Sequence, residues 1–165
     1  MVNEPSRAAM AGCQEHVMNG RAASEPKLIF PALAGFYAAA ADLWYPMIRV
    51  VFGGSLLYHG WGKLAAGQFS IAPTLTRYGI APAAPLGYVV VFLETVGALC
   101  IILGLGTRIF AAGCAIEMAV IAFKVKMSAG YSQMELFVLL GIVFFAIALR
   151  GGGPYSLDRR IGKEL

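Results

Sequence analysis

Apolar residues fall into four long runs, separated by short segments that carry most of the charges. The runs cover residues 46–64, 83–104, 107–127 and 133–149. They lack the polar stripe that a soluble amphipathic helix shows about every 3.6 residues. A helix of about 20 apolar residues crosses the hydrocarbon core of a bilayer. The pattern therefore predicts an all-α fold, an integral membrane four-helix bundle.

The chain before the first run has two parts. Residues 1–27 are mixed and polar, which is typical of a flexible tail. Residues 28–43 are apolar over only about half the spanning length, and their apolar side chains share one stripe, which favours a short interfacial helix. A signal peptide beginning near Lys27 is the alternative. Pro46 suits the first turn of a helix, so we expect the first span to begin there, within a membrane domain at 44–162.

The connections between the spans differ in length. The turn at 104–106 is short, so the second and third spans should be antiparallel neighbours. The connection at 65–82 contains Pro73, Gly79 and Pro82. It is long enough to hold a short helix folded over the mouth of the bundle.

Composition and charge support a membrane location. Hydrophobic residues make up 59% of the 165 residues and charged residues only 13%, against about 25% charged in an average soluble domain. The net charge of +4 is dispersed, whereas nucleic-acid binding needs clustered basic residues. Basic residues near the span ends face the cytoplasm, so we expect both termini there, in a bacterial inner membrane. That side would collect Arg7, Arg21, Lys27, Arg108, Arg150, Arg159, Arg160 and Lys163, against Lys63, Arg77, Lys124 and Lys126 opposite.

Ionisable residues inside the spans are the candidate functional residues, because each costs about 2.5–3.5 kcal/mol on insertion scales. From the helical rise, His59, Glu94 and Glu117 fall within one layer about 5 Å deep. Small residues share their helical faces, so the three should point into the bundle. We predict catalytic roles for these three, with His59 within hydrogen-bonding reach of one glutamate, directly or through one water. A buried network that only locks the helices together is the competing interpretation.

Further ionisable residues lie nearer the span ends, where a substrate could meet them. We predict substrate-binding roles for Arg49, Lys63 and Glu135. Cys13, Cys100 and Cys114 show neither a disulfide framework nor a metal-ligand spacing, and no metal site is expected. The sequence has no haem-ligand pair, no iron–sulfur cysteine set and no nucleotide-binding loop.

From Arg49 onward, an ordered set of landmarks resembles the DoxX family of small bacterial and archaeal membrane proteins. Each landmark is weak alone, but their order on four spans is specific, and together they cover about 45–162. They are Arg49, the His59-Gly60-x-x-Lys63-Leu64 segment, Glu94 with Gly97, the Leu103-Gly104-Leu105-x-Thr107-Arg108 segment, Glu117, Glu135, and Gly153-Pro154-Tyr155-Ser156-Leu157-Asp158.

The resemblance implies a membrane subunit of a redox assembly. Some relatives are subunits of thiosulfate:quinone oxidoreductases, and another is linked to a complex that responds to thiol oxidative stress. We therefore expect sulfur, thiol or quinone chemistry in the polar layer, with no covalently bound cofactor and quinone as the expected ligand. The lipid bilayer and either a second copy or a redox protein are the expected partners. A small proton-coupled transporter and a purely structural scaffold are the alternatives.

Overall fold

The computed structural model describes residues 29–162, so the predicted tail at 1–27 lies outside the described residues. Within 29–162 every regular element is helical, which confirms the all-α prediction. The helices are α1 (Ala34–Ala65), α2 (Ala72–Arg77), α3 (Ala83–Leu103), α4 (Thr107–Val120), α5 (Tyr131–Arg150) and α6 (Leu157–Ile161).

The N-terminal part of α1 differs from the expectation. A 3-10 turn at Pro31–Leu33 precedes α1, and Pro46 lies inside α1 rather than at its start. A proline within a helix removes one backbone hydrogen bond. The helix nevertheless continues without interruption on both sides of Pro46. Among the described residues, 29–39 and 40–162 belong to separate compact units. The interfacial location of 28–43 stays a prediction, and residue 28 itself is outside the described range.

Two wider helical turns interrupt the regular geometry of the long helices. The segment Leu93–Gly97 within α3 is a π-helix, and a second π-helix, Ile121–Lys126, continues α4. Each π turn adds a residue to the helical repeat, and such segments are frequent at functional sites. The side chains beyond each π turn are therefore rotated relative to a uniform α-helix.

The four long helices share one core. Buried side chains from α1, α3, α4 and α5 form a single cluster: Tyr45, Leu56, Ala98, Ile101, Ala111, Cys114, Met118, Phe144 and Ile147. Glycines let the helices approach closely. A Cβ at Gly53 would lie 3.2 Å from the carbonyl oxygen of Ala98, and one at Gly60 would lie 2.5 Å from that of Glu94. Helix α1 therefore packs almost backbone to backbone against α3.

Large apolar side chains cover the outside of this helical core. On α5 alone, five of them are at least half exposed, at three- and four-residue intervals: Leu136, Leu139, Ile142, Phe145 and Leu149. Continuous apolar surface of this kind marks contact with a membrane or partner. Helices α3 and α5 are both long and apolar enough to span a bilayer, with mean hydropathies of 2.3 and 2.1.

The C-terminal segment closes one end of the core, which we call the closed end (residues 45–49, 104–107 and 151–158). Asp158 accepts hydrogen bonds from the backbone N–H groups of Gly106, at 2.8 Å, and Thr107, at 3.2 Å. These are donors that the start of α4 would otherwise leave unsatisfied. Arg49 is 1% exposed and donates from Nη2 to the carbonyl oxygen of Tyr155 at 2.6 Å. The chain end thereby ties α1, α4 and the turn between α3 and α4 together.

Candidate functional site

A cavity of about 560 Å³ lies among the long helices, away from the closed end. Its walls are mostly apolar, with Leu56, Leu93 and Phe144 among the lining side chains. The connection 65–82 covers the cavity with Thr74 and Leu75 of α2 and with Ile71, which directly precedes α2. The short helix that the sequence permitted in this connection is therefore present. Ligand pockets typically measure about 300–1,000 Å³ and combine apolar walls with a few convergent polar groups.

An ion pair between Lys63 and Glu94 provides the first polar group in this cavity. Lys63 Nζ donates to Glu94 Oε2 in direct contact. The Glu94 side chain is 5% exposed, whereas the Lys63 side chain is 26% exposed. A buried carboxylate is tolerated when a cation and hydrogen bonds accompany it. Lys63 therefore supplies the charge that allows Glu94 to lie among apolar side chains.

Glu117 provides a second polar group, and its environment is different. Its side chain is 7% exposed, and both carboxyl oxygens are buried without a hydrogen bond. Glu94 and Lys63 are its charged neighbours in the cavity. An ionised carboxylate without a partner is very costly in apolar surroundings, and such a group takes up a proton instead. Glu117 is therefore placed to hold a proton beside the Lys63–Glu94 pair.

Local helix geometry positions these carboxyl groups. Glu94 lies in the π-helix Leu93–Gly97, and Glu117 lies one turn before the π-helix Ile121–Lys126. Gly60 packs against the backbone of Glu94. Because Gly60 and Lys63 are three residues apart on α1, they share a helical face. The close approach at Gly60 thus brings the Lys63 side chain to Glu94.

The structure brings four of the six predicted site residues to the cavity. His59, Lys63, Glu94 and Glu117 line it. Among the described residues no direct hydrogen bond joins His59 to either glutamate, and Lys63 makes the direct contact with Glu94. A contact of His59 through one water stays a prediction. His59 is exposed at the cavity edge, one helical turn before Lys63.

The other two predicted residues do not line the cavity. Arg49 lies at the closed end, about 20 Å along α1 from Lys63, where it holds the carbonyl of Tyr155. Its Nε and Nη1 atoms are buried without a hydrogen bond. Glu135 is exposed near the start of α5. A substrate-binding role for either residue remains a prediction without support from the cavity geometry.

Polar residues that sequence reasoning did not select also line the cavity. Gln68 and Tyr78 come from the connection 65–82, and Ser55 comes from α1. The sequence contained one signal for them, the length of this connection, but not which of its residues face inward. Cys100 and Cys114, the free cysteines of the described region, do not line the cavity.

Comparison with known proteins gives one family match. The family model described as DoxX matches residues 45–127. The matched region runs from α1 through the second π-helix and includes all four charged or imidazole groups of the cavity. No match is found among curated proteins or among solved structures.

Proposed function

Since the chain belongs to the DoxX family of membrane proteins, we propose that it is a membrane subunit of a redox assembly that binds quinone in this cavity. The observation that supports the proposal is the convergence of Lys63, Glu94 and Glu117 on one largely apolar cavity. A quinone head group presents two carbonyl oxygens on an apolar ring. Such a ring suits the apolar walls, and its oxygens suit the ammonium and carboxylic acid donors.

Each polar group of the cavity would have its own role in quinone reduction. Reduction of a quinone to a quinol consumes two electrons and two protons. Glu117 would donate one proton from its carboxylic acid, and His59 at the cavity edge would supply the second from bulk water. The Lys63 ammonium would stabilise negative charge that develops on the ring oxygen. The electrons would come from a partner redox protein, because the sequence contains no recognisable redox centre.

The proposed arrangement in the membrane has four spans. The helices that would cross the bilayer are α1, α3, α4 with its π extension, and α5. Their shared core and apolar exteriors favour this arrangement. The excess of Lys and Arg on one side would place both termini in the cytoplasm. The closed end would then face the cytoplasm, and the connection 65–82 would face the opposite side. A redox protein or a second copy would complete the assembly.

Quinone binding by the purified full-length chain tests the proposal. We expect a quinone with a short tail to bind in calorimetric titrations in lipid nanodiscs. The Glu117→Leu variant keeps the volume of the wall but removes the acid, and a hydrogen bond between uncharged groups contributes about 0.5–1.5 kcal/mol. Affinity should therefore fall by about two- to tenfold. The matched control is Asp42→Leu, which changes an exposed carboxylate outside the cavity and should bind like the unmodified chain.

A second measurement separates a site from a structural network. Glu117→Gln keeps the shape and a hydrogen-bond donor but cannot transfer a proton. In native membranes we expect this variant to retain quinone binding and lose quinone-linked electron transfer, with the melting temperature preserved. Full activity with a lowered melting temperature would show that Glu117 serves only the fold. Absence of quinone binding by the unmodified chain would reject the proposal itself.

A further inference from the structure

The contact between α3 and α4 is limited to part of their length. Around Gly113 the two helices touch, since a Cβ there would lie 3.0 Å from Leu93 Cδ2. A Cβ at Gly97 would lie 3.2 Å from the Phe110 ring. The Phe92 ring of α3 still lies 6.2 Å from the Phe110 ring of α4, but the earlier part of α3 packs against α2. The backbone N–H of Ile71 donates to the carbonyl oxygen of Gly87 at 3.3 Å. The two helices therefore separate towards the covered end of the cavity.

We call the gap between the separated parts of α3 and α4 the seam. The side chains along the seam are apolar, and the cavity extends to them. Val89 and Val90 of α3 and Ile116 and Val120 of α4 line both the seam and the cavity. Val89 is 47% exposed and Ile116 is 67% exposed. An opening to water would carry a polar rim, whereas these four side chains offer no hydrogen-bonding group. The seam is suited to hydrocarbon.

The depth of the seam places it opposite lipid tails. Ile116 lies nine residues after the start of α4, which corresponds to about 14 Å along the helix. In a hydrocarbon core about 30 Å thick, that is close to the middle of the bilayer. The polar groups of the cavity, Glu117 and Glu94, lie just behind this apolar edge. A ligand could therefore keep a polar head near the glutamates while an apolar tail remains among the lipids.

We propose that the seam formed by Val89, Val90, Ile116 and Val120 is a lateral portal that connects the cavity with the bilayer interior and holds the apolar tail of the ligand. The portal rests on the proposed function in that a ligand occupies the cavity. It assigns a new role to side chains that carry no polar chemistry. It also selects ligands with a long apolar tail over water-soluble compounds with the same head.

A tail-length comparison tests the portal. Ile116→Trp should narrow the seam, because the side chain is exposed and has room to grow outward and across it. We expect the affinity for a quinone with a ten-carbon tail to fall by about tenfold or more, while a tail-less quinone with the same head binds unchanged. The matched control is Ile109→Trp, two turns earlier on the same face of α4, 58% exposed and outside the cavity lining. Equal losses for both quinones, or no loss for either, would overturn the portal.

A second measurement needs no quinone and keeps the two proposals distinguishable. In a background with Trp44→Phe and Trp61→Phe, Val120→Trp places a fluorophore on the inner side of the seam. Lipids with brominated acyl chains should quench it at least half as strongly as they quench Ile142→Trp, a reference at an exposed position near the middle of α5 and outside the cavity lining. Quenching without quinone binding would keep the portal and reject the quinone function. Quinone binding without quenching of Val120→Trp would reject the portal and keep the function.

Discussion

Replacing Gly60 by alanine should separate α1 from α3 and destabilise the protein by about 2 kcal/mol. The new Cβ would lie 2.5 Å from the carbonyl oxygen of Glu94 and 2.6 Å from its carbonyl carbon. Both are backbone atoms of a helix, so neither can move aside as a side-chain tip would. Overpacking of this kind costs up to about 3 kcal/mol, and the better helix propensity of alanine returns about 1 kcal/mol. The difference gives the predicted loss.

Two neighbouring glycines on α1 provide matched controls. A Cβ at Gly53 would lie 2.8 Å from Ile102 Cγ1 and 3.2 Å from the carbonyl oxygen of Ala98, and the β-branched isoleucine has little freedom at χ1 in a helix. Gly53→Ala should therefore lower the free energy of unfolding by about 1 kcal/mol, less than Gly60→Ala because its closest backbone contact is longer. A Cβ at Gly54 would meet nothing within 4 Å. Gly54→Ala should stabilise the protein by about 0.5–1 kcal/mol.

The assay is reversible unfolding of the full-length chain in mixed micelles, titrated with a denaturing detergent and followed by circular dichroism. The expected order of stability is Gly54→Ala, then the unmodified chain, then Gly53→Ala, then Gly60→Ala. Since Gly60 also brings Lys63 to Glu94, ligand affinity should fall only in the Gly60→Ala variant. A Gly60→Ala protein as stable as the Gly54→Ala protein would refute the close packing of α1 on α3.

Three further predictions concern other parts of the molecule. Lys63→Met leaves Glu94 buried without its cation and should destabilise the protein by about 3 kcal/mol, which is at the low end for a broken buried ion pair because the lysine is partly exposed. Adding Glu94→Gln should recover most of the lost stability. An undiminished loss in the double variant would contradict the pairing. Asp158→Ala removes the acceptor for two N–H groups at the start of α4 and should cost about 1–2 kcal/mol in the same unfolding assay, and unchanged stability would show that water replaces the carboxylate. Reporter fusions after Gly104 should give a cytoplasmic signal and fusions after Tyr78 the opposite; a cytoplasmic signal at Tyr78 would contradict the proposed topology.

The sequence predicted the helices well because their signal is local. The apolar run at 83–104 corresponds to α3 at Ala83–Leu103, and the helical rise alone predicted that Glu94 and Glu117 lie close together. Depth in a helix depends only on residue number, so Glu94 and Glu117 could be assigned to one cavity. The same local reasoning failed at Pro46, because proline is compatible with either the start or the interior of a helix. Contacts elsewhere on α1 determine which of the two positions Pro46 takes.

The pairing inside the cavity could not be derived in the same way. His59 and Lys63 are four residues apart and share one face of α1, so the sequence cannot choose between them as the partner of Glu94. The choice depends on side-chain reach and on the rotation of α3, which the π turn at Leu93–Gly97 changes. A π turn leaves no clear mark in the pattern of apolar residues. The role of Arg49 at the closed end likewise depends on where the C-terminal segment returns.

The closed end has a consequence for the order of biosynthesis. Arg49 lies on α1, but the carbonyl group to which it donates belongs to Tyr155, 106 residues later. Until Tyr155 has been synthesised, this guanidinium must remain near the bilayer without that contact, at a cost of about 2.5–3.5 kcal/mol if it is fully inserted. The closed end can therefore form only after Tyr155 has left the ribosome. Ribosome stalling or premature termination before residue 155 should leave an incomplete protein that membrane quality-control proteases can recognise.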